Sequence, residues 1–98
     1  MRKLDKRFNS RKNTYVQLED GGNYYVYGVW NLKDEAVGEP SYFEIFTKKV
    51  AKAATLKGIY YPEREKYPSD NDFGVWGWCC SNIDRVNYIK NLKLGVMV

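Results

Sequence analysis

The sequence predicts an α+β fold: a mainly antiparallel sheet of four or five strands with one C-terminal helix packed on one face. Three observations carry this. Stretches rich in Val, Ile, Tyr, Phe and Trp alternate with turn-forming clusters along most of the chain. The cluster Asp20-Gly21-Gly22-Asn23 between two such stretches is a hairpin signal. A single segment, Asn82 to about Leu94, has apolar residues at helical spacing with start and stop signals on both sides.

In chain order, residues 1–13 read as a basic flexible arm and residues 14–98 as one domain, as a length of 98 residues suggests. Leu4 and Phe8 stand four apart, but the polar run Asn9 to Asn13 argues against a long helix. Thr14 to Glu19 is the first expected strand. Tyr24 to Leu32 is the second, with Tyr24, Val26, Gly28, Trp30 and Leu32 on one face and Tyr25, Tyr27, Val29 and Asn31 on the other. Gly28 marks a bulge or a close approach by another element. Lys33 to Pro40 is a loop. Ser41 to about Val50 is the third strand, with Phe43 and Ile45 on one face, Tyr42 and Phe46 on the other, and Glu44 interrupting the second face.

Lys48 to Lys57 carries conflicting signals, with Ala and Lys favouring helix and the preceding β-formers favouring strand. The reading adopted ends the strand near Val50, follows it with a loop or one helical turn, and places a short strand around Leu56 to Tyr61. Pro62 to Asp70 is a charged loop. Phe73 to Cys80 is a strand with Phe73, Val75 and Cys79 on one side and Trp76, Trp78 and Cys80 on the other. Ser81 is the expected helix N-cap with Asp84 at the third helical position. Ile83, Val86, Ile89 and Leu92 form the apolar side, Lys90 and Lys93 suit the helix dipole, and Gly95 the C-cap. Val96-Met97-Val98 is an apolar tail expected to pair or pack.

The composition, 44% hydrophobic and 29% charged, is that of a folded domain and not of a disordered chain. No apolar run approaches the length that spans a bilayer, and the N-terminus is charged without an apolar segment behind it. A cytoplasmic location follows as the expectation. The two cysteines, Cys79 and Cys80, are adjacent and have no others to pair with, which agrees with a reducing compartment. The charge of +4 is uneven: residues 1–12 hold six basic side chains against Asp5, and the remaining 86 residues hold ten basic and eleven acidic ones. The candidate anion-contacting residues are therefore Arg2, Lys3, Lys6, Arg7, Arg11 and Lys12.

No catalytic constellation emerges. The chain has no His, so Cys80, although placed just before a helix N-terminus where a thiolate is favoured, lacks the usual base. Asp72-Phe73-Gly74 stands without the other kinase motifs. Asp70-Asn71-Asp72 lacks the twelfth-position acid of a calcium loop and reads as a turn. Two cysteines are too few for a zinc site. The expectation is a non-enzyme with no cofactor, no metal and no evident small-molecule substrate.

The strands are apolar on both faces, and one helix covers only one. The second face is covered by the 48–70 segment, by another subunit, or left open as an aromatic surface. Tyr25, Tyr27, Trp76 and Trp78 are the aromatic candidates for that surface, and with the basic arm they form the candidate partner- or nucleic-acid-binding set.

Phe43-Glu44-Ile45-Phe46 and then Glu65-Lys66-Tyr67-Pro68-Ser69-Asp70-Asn71-Asp72-Phe73-Gly74, with Trp78 beyond, resemble a pattern of small uncharacterised phage and mobile-element proteins in which a Glu-x-aromatic-Pro-Ser-x-x-x-Phe-Gly loop leads into an aromatic strand and a helix. The resemblance covers roughly the second half of the chain. It implies a genomic setting and transfers no site. The expected function is a small accessory protein of such an element, a non-catalytic protein-interaction module with self-association as one form. Its alternative is nucleic-acid binding through the basic arm and the Tyr-rich sheet surface. No membrane partner is expected.

Overall fold

A computed structural model describes residues 2–32 and 35–95. Among them the order is β1 (Arg7–Ser10), β2 (Asn13–Asp20), β3 (Tyr24–Trp30), β4 (Tyr42–Thr47), β5 (Val50–Ala51), β6 (Ala54–Leu56), β7 (Ile59–Tyr61), β8 (Arg64–Glu65), a 3-10 turn (Asp70–Asp72), β9 (Gly77–Cys80) and α1 (Ile83–Lys93). Five strands pair antiparallel in the order β1-β2-β3-β4-β9. The protein is thus α+β, with a five-stranded antiparallel sheet and one C-terminal helix. Val96 to Val98, expected to pair or pack, and Lys33 and Asp34 of the expected loop lie outside the described residues.

The central strand β3 is buried at every residue, because both of its faces are apolar and both are covered. On one face Tyr24, Val26, Ile45 and Cys80 pack against Val86 and Ile89 of the helix, with Phe43, Trp78 and Leu94 around them. On the other, Tyr25, Tyr27 and Phe46 are covered by Leu4, Phe8, Tyr15, Tyr67 and Trp76. The second face is therefore closed by the chain itself. Its rings interlock: Phe46 lies 5.7 Å from Tyr27 in a stacked pair and 4.7 Å from Tyr67 in an edge-on one, arrangements that add to simple area burial.

The first thirteen residues, expected as an arm, include an edge strand. Arg7–Ser10 pairs with β2, and Phe8 stacks on Tyr15 at 4.7 Å. The residues before it lie along the 63–65 segment. Arg2 N–H donates to the Glu63 carbonyl (3.3 Å), Glu65 N–H to the Arg2 carbonyl (2.8 Å) and Tyr27 hydroxyl to the Asp5 carbonyl (2.7 Å). The buried Glu65 is the anchor: one of its oxygens accepts from Leu4 N–H at 3.0 Å and from Tyr25 hydroxyl at 2.6 Å. Polar spacing hides this docking in the sequence, because the partners are some sixty positions away. Glu65→Ala leaves both donors unpaired, so unfolding free energy should fall by about 1–3 kcal/mol. Trypsin should then cut after Lys6 or Arg7 faster than in the parent, and equal cleavage rates with equal denaturation midpoints would refute the anchoring role.

A register shift in β2 between Gln17 and Glu19 decides one further contact. Gln17 sits on the aromatic side, where its amide donates to Tyr27 hydroxyl (3.1 Å). The extra residue turns Glu19 to the opposite, helix side, where it accepts from Tyr24 hydroxyl (2.5 Å) and pairs with Lys90. Gly28 faces that bulge as a close approach: a Cβ there would stand 2.9 Å from Pro40 Cγ and 3.0 Å from Leu18 Cδ1.

Several boundaries differ from expectation. β3 stops at Trp30 and β4 at Thr47, and no helical turn follows. Instead β5 pairs with β8, and β6 with β7 across a two-residue turn whose Lys57 and Gly58 both have positive φ (50° and 77°), the conformation that matches strand twist in a tight hairpin. The expected strand from Phe73 begins only at Gly77. Residues 72–76 fold into a turn in which Val75 and Trp76 N–H both donate to the Asp72 carbonyl (3.0 and 3.1 Å), with Gly74 at φ 90°. The helix N-cap is Asn82, whose side chain accepts from Arg85 N–H at 2.9 Å, in place of Ser81. The Ser-x-x-acid pairing occurs instead at Ser69 and Asp72, whose Oδ2 accepts from Ser69 N–H and hydroxyl, each at 2.9 Å. Ile83 and Leu92 are about half exposed while Val86, Ile89 and Lys90 are buried. Each three-residue step turns back about 60°, so four residues so spaced cannot all meet one sheet.

Candidate interaction surface

The predicted aromatic platform does not exist as a surface. Tyr25 and Tyr27 are 1% and 0% exposed, sealed beneath the N-terminal segment and Tyr67. Burial, with the Glu65 carboxylate beside it, raises the Tyr25 hydroxyl well above its ordinary value. Trp76 and Trp78, expected on one side of a strand, fall in different elements: Trp76 closes the 72–76 turn and Trp78 lies in β9. Trp78 packs on the helix side, Trp76 on the aromatic side, with the Lys66 ammonium 5.7 Å from its ring.

The predicted basic residues Arg2, Lys3, Lys6, Arg7, Arg11 and Lys12 are all exposed. Docking Arg2 against residues 63–65 joins them to a second basic segment that sequence reading passed over. Residues 48–66 carry Lys48, Lys49, Lys52, Lys57, Arg64 and Lys66 against Glu63 and Glu65. The two segments together hold twelve basic and three acidic side chains, and the rest of the chain four basic and nine acidic. The net charge of +4 is thus the sum of +9 on these two segments and −5 on the rest of the chain. Counting charge by segment would have shown it. Lys48 is partly neutralised by Asp20 at 2.7 Å.

From this basic region projects the β6–β7 hairpin. Every residue of both strands is exposed, including Leu56, Ile59, Tyr60 and Tyr61. Among the described residues its strands pair only with each other, which leaves one hydrogen-bonding edge of each without a strand partner there. The short β5–β8 ladder ties down its base, and the molecule is elongated, 44 × 33 × 22 Å. A two-stranded hairpin alone in water is marginally stable, and exposed apolar side chains gathered on one element mark a contact surface.

Cys80 is buried in the helix-side core and Cys79 is exposed. Burial, and then Cys79 beside it, pushes the Cys80 thiol up to about 11, against the small opposing effect of Arg85. The Cys79 thiol is raised by partial burial and by Glu44. Among the described residues no group of His, Cys, Asp and Glu is placed to hold a metal ion, and no helix is long and apolar enough to cross a membrane.

A concave feature of the surface is not legible from residue spacing. An open cleft of about 380 Å³ lies between the β1–β2 turn, β4 and the segment 67–73. Its lining comes from three separate stretches of chain, and Glu44, read in the sequence as an interruption of an apolar face, stands in its wall. Comparison of the chain with protein-family models, curated proteins and solved structures returned no match.

Proposed function

We propose that this protein is a non-catalytic interaction module that docks on another protein through the β6–β7 hairpin, serving as an accessory protein of a phage or mobile element. The single observation that carries the reading is the hairpin itself: two strands exposed at every residue, with Leu56, Ile59, Tyr60 and Tyr61 in water. A surface of this kind gains free energy when covered, at roughly 25 cal/mol per Å² of apolar area. The high thiol pKa of Cys80 supports a non-catalytic role. The genomic setting rests on the Glu65–Gly74 resemblance alone.

A second reading, nucleic-acid binding, is favoured by one specific observation: the basic N-terminal segment docks, through Arg2, against the basic 48–66 segment at residues 63–65. Affinity of that kind falls steeply with salt.

The two separate in one experiment. Leu56→Asp together with Ile59→Asp changes only exposed positions and should leave stability within about 0.5 kcal/mol. Partner capture from host lysate, followed with and without nuclease, should survive nuclease and disappear in the double variant. Capture that nuclease removes and that fades between low and moderate salt supports the second reading. Capture retained by the double variant overturns the hairpin reading.

A further inference from the structure

The cleft beside β4 is independent of the hairpin and has a chemistry of its own. Its deepest charged group is Glu44, 8% exposed. One Glu44 oxygen accepts from the Tyr67 hydroxyl at 2.6 Å. The groups acting on its carboxyl, after burial itself, are Tyr67 and Asp70. Burial raises the pKa, the Tyr67 hydrogen bond opposes this, and the negative Asp70 adds to the rise. No cation among the described residues compensates it. A carboxylate so deeply buried without a positive partner is costly. Such groups concentrate where a ligand supplies what is missing.

The walls indicate what that ligand is. Phe8, Tyr15, Tyr42, Tyr67 and Phe73 all line the cleft. Phe8 and Tyr15 stack at 4.7 Å, and Tyr67 stands edge-on to both at 5.4 and 5.7 Å. The volume falls within the range of small-ligand sites. Aromatic rings around a carboxylate favour a cation with an apolar skin, attracted by the ring faces and neutralised by the acid. A bare metal ion would need several oxygen ligands at once. An anion would meet Glu44 and Asp70. Arg11, at the rim on the β1–β2 turn, is the one lining cation among the described residues and is exposed.

We propose that this cleft binds an organic cation, an alkylammonium group seated among the rings with its charge on Glu44.

The probes are choline and its uncharged isostere 3,3-dimethylbutan-1-ol, titrated against the full chain at neutral pH and followed by amide chemical shifts. Choline should saturate and move Tyr15, Tyr42 and Glu44, and the isostere should bind at least about tenfold more weakly. Glu44→Gln keeps an acceptor for the Tyr67 hydroxyl and so preserves the fold, and should lose at least about tenfold in choline affinity. Arg11→Ala removes a like charge and should leave binding equal or tighter. Equal affinity for the two probes, full binding by Glu44→Gln, weaker binding by Arg11→Ala, or no saturable shift with choline would each overturn the proposal.

Discussion

Phe46→Ala is expected to lower the unfolding free energy by about 3–5 kcal/mol, a large part of the whole for a domain this size, which totals about 5–15 kcal/mol. Phe46 is fully buried, and its ring meets those of Tyr25, Tyr27, Tyr67 and Trp76. Three of these come from the sheet or its immediate continuation, but Tyr67 arrives from the far side of the hairpin excursion. Removing the ring leaves a cavity that the interlocked neighbours cannot collapse to fill. Denaturant unfolding should show a lower midpoint with an unchanged slope. A loss below about 1.5 kcal/mol would place the cost in the range of well-tolerated core swaps and contradict the central position given to this ring. Phe46→Leu should recover much of the loss, because it refills most of the volume.

Glu19→Ala is expected to destabilise by about 1–3 kcal/mol, between the values for an exposed and a buried ion pair, since Glu19 keeps 40% of its side chain exposed while Lys90 keeps only 10%. The substitution strands the Lys90 ammonium against the sheet and takes the acceptor from the Tyr24 hydroxyl, whose pKa that bond and burial push up to about 12. The pH dependence has a definite sign. Burial alone would raise the Glu19 pKa, but hydrogen bonds from Lys90 and Tyr24, with the Lys90 charge, hold it below the ordinary value of 4.5. A depressed carboxyl contributes stability above its unfolded pKa and loses it as pH falls through the folded one. The gap between parent and Glu19→Ala should therefore be full above pH 4.5 and close as the solution becomes more acid. Lys90→Met combined with Glu19→Gln should regain most of the loss, as apolar replacement of a buried pair commonly does. A gap that persists unchanged into strong acid would exclude the ion pair as its cause.

What the sequence made legible was whatever depended on neighbours along the chain. The Asp20–Asn23 turn, the alternation of β3 and β4, the tight contact at Gly28 and the C-terminal helix all follow from local pattern. What it concealed depended on residues far apart. The basic N-terminus looked like an arm because Glu65, which holds it, is distant. Tyr25 and Tyr27 looked like a surface because their cover comes from Leu4, Phe8 and Tyr67. Strand periodicity puts Trp76 and Trp78 on one face only if the strand runs through both, but the strand begins at Gly77 and Trp76 belongs to the turn before it. Glu44 was visible as a break in an apolar face, but the cleft around it requires the Tyr67–Phe73 segment to fold back over β4. The basic 48–66 segment is hidden in the sequence because the acidic side chains of the remaining body offset it, whereas the first twelve residues carry their excess openly.

The excursion between β4 and β9 is closed twice at its stem. Thr47 N–H donates to the Trp76 carbonyl at 3.0 Å and Lys66 N–H to the Lys49 carbonyl at 2.9 Å, and the β5–β8 ladder continues outward from there. Once a stem is fixed, doubling the length of what hangs from it costs only about 0.6 kcal/mol. Residues 52–62 can therefore lengthen, shorten or change sequence without disturbing the sheet, while Glu63 keeps its backbone bond to Arg2, and Glu65 and Tyr67 remain bound to their roles in the core. The architecture separates a conserved-by-physics body from a tip that is free to drift, so descendants of this chain can acquire new binding preferences through these positions and keep the same fold.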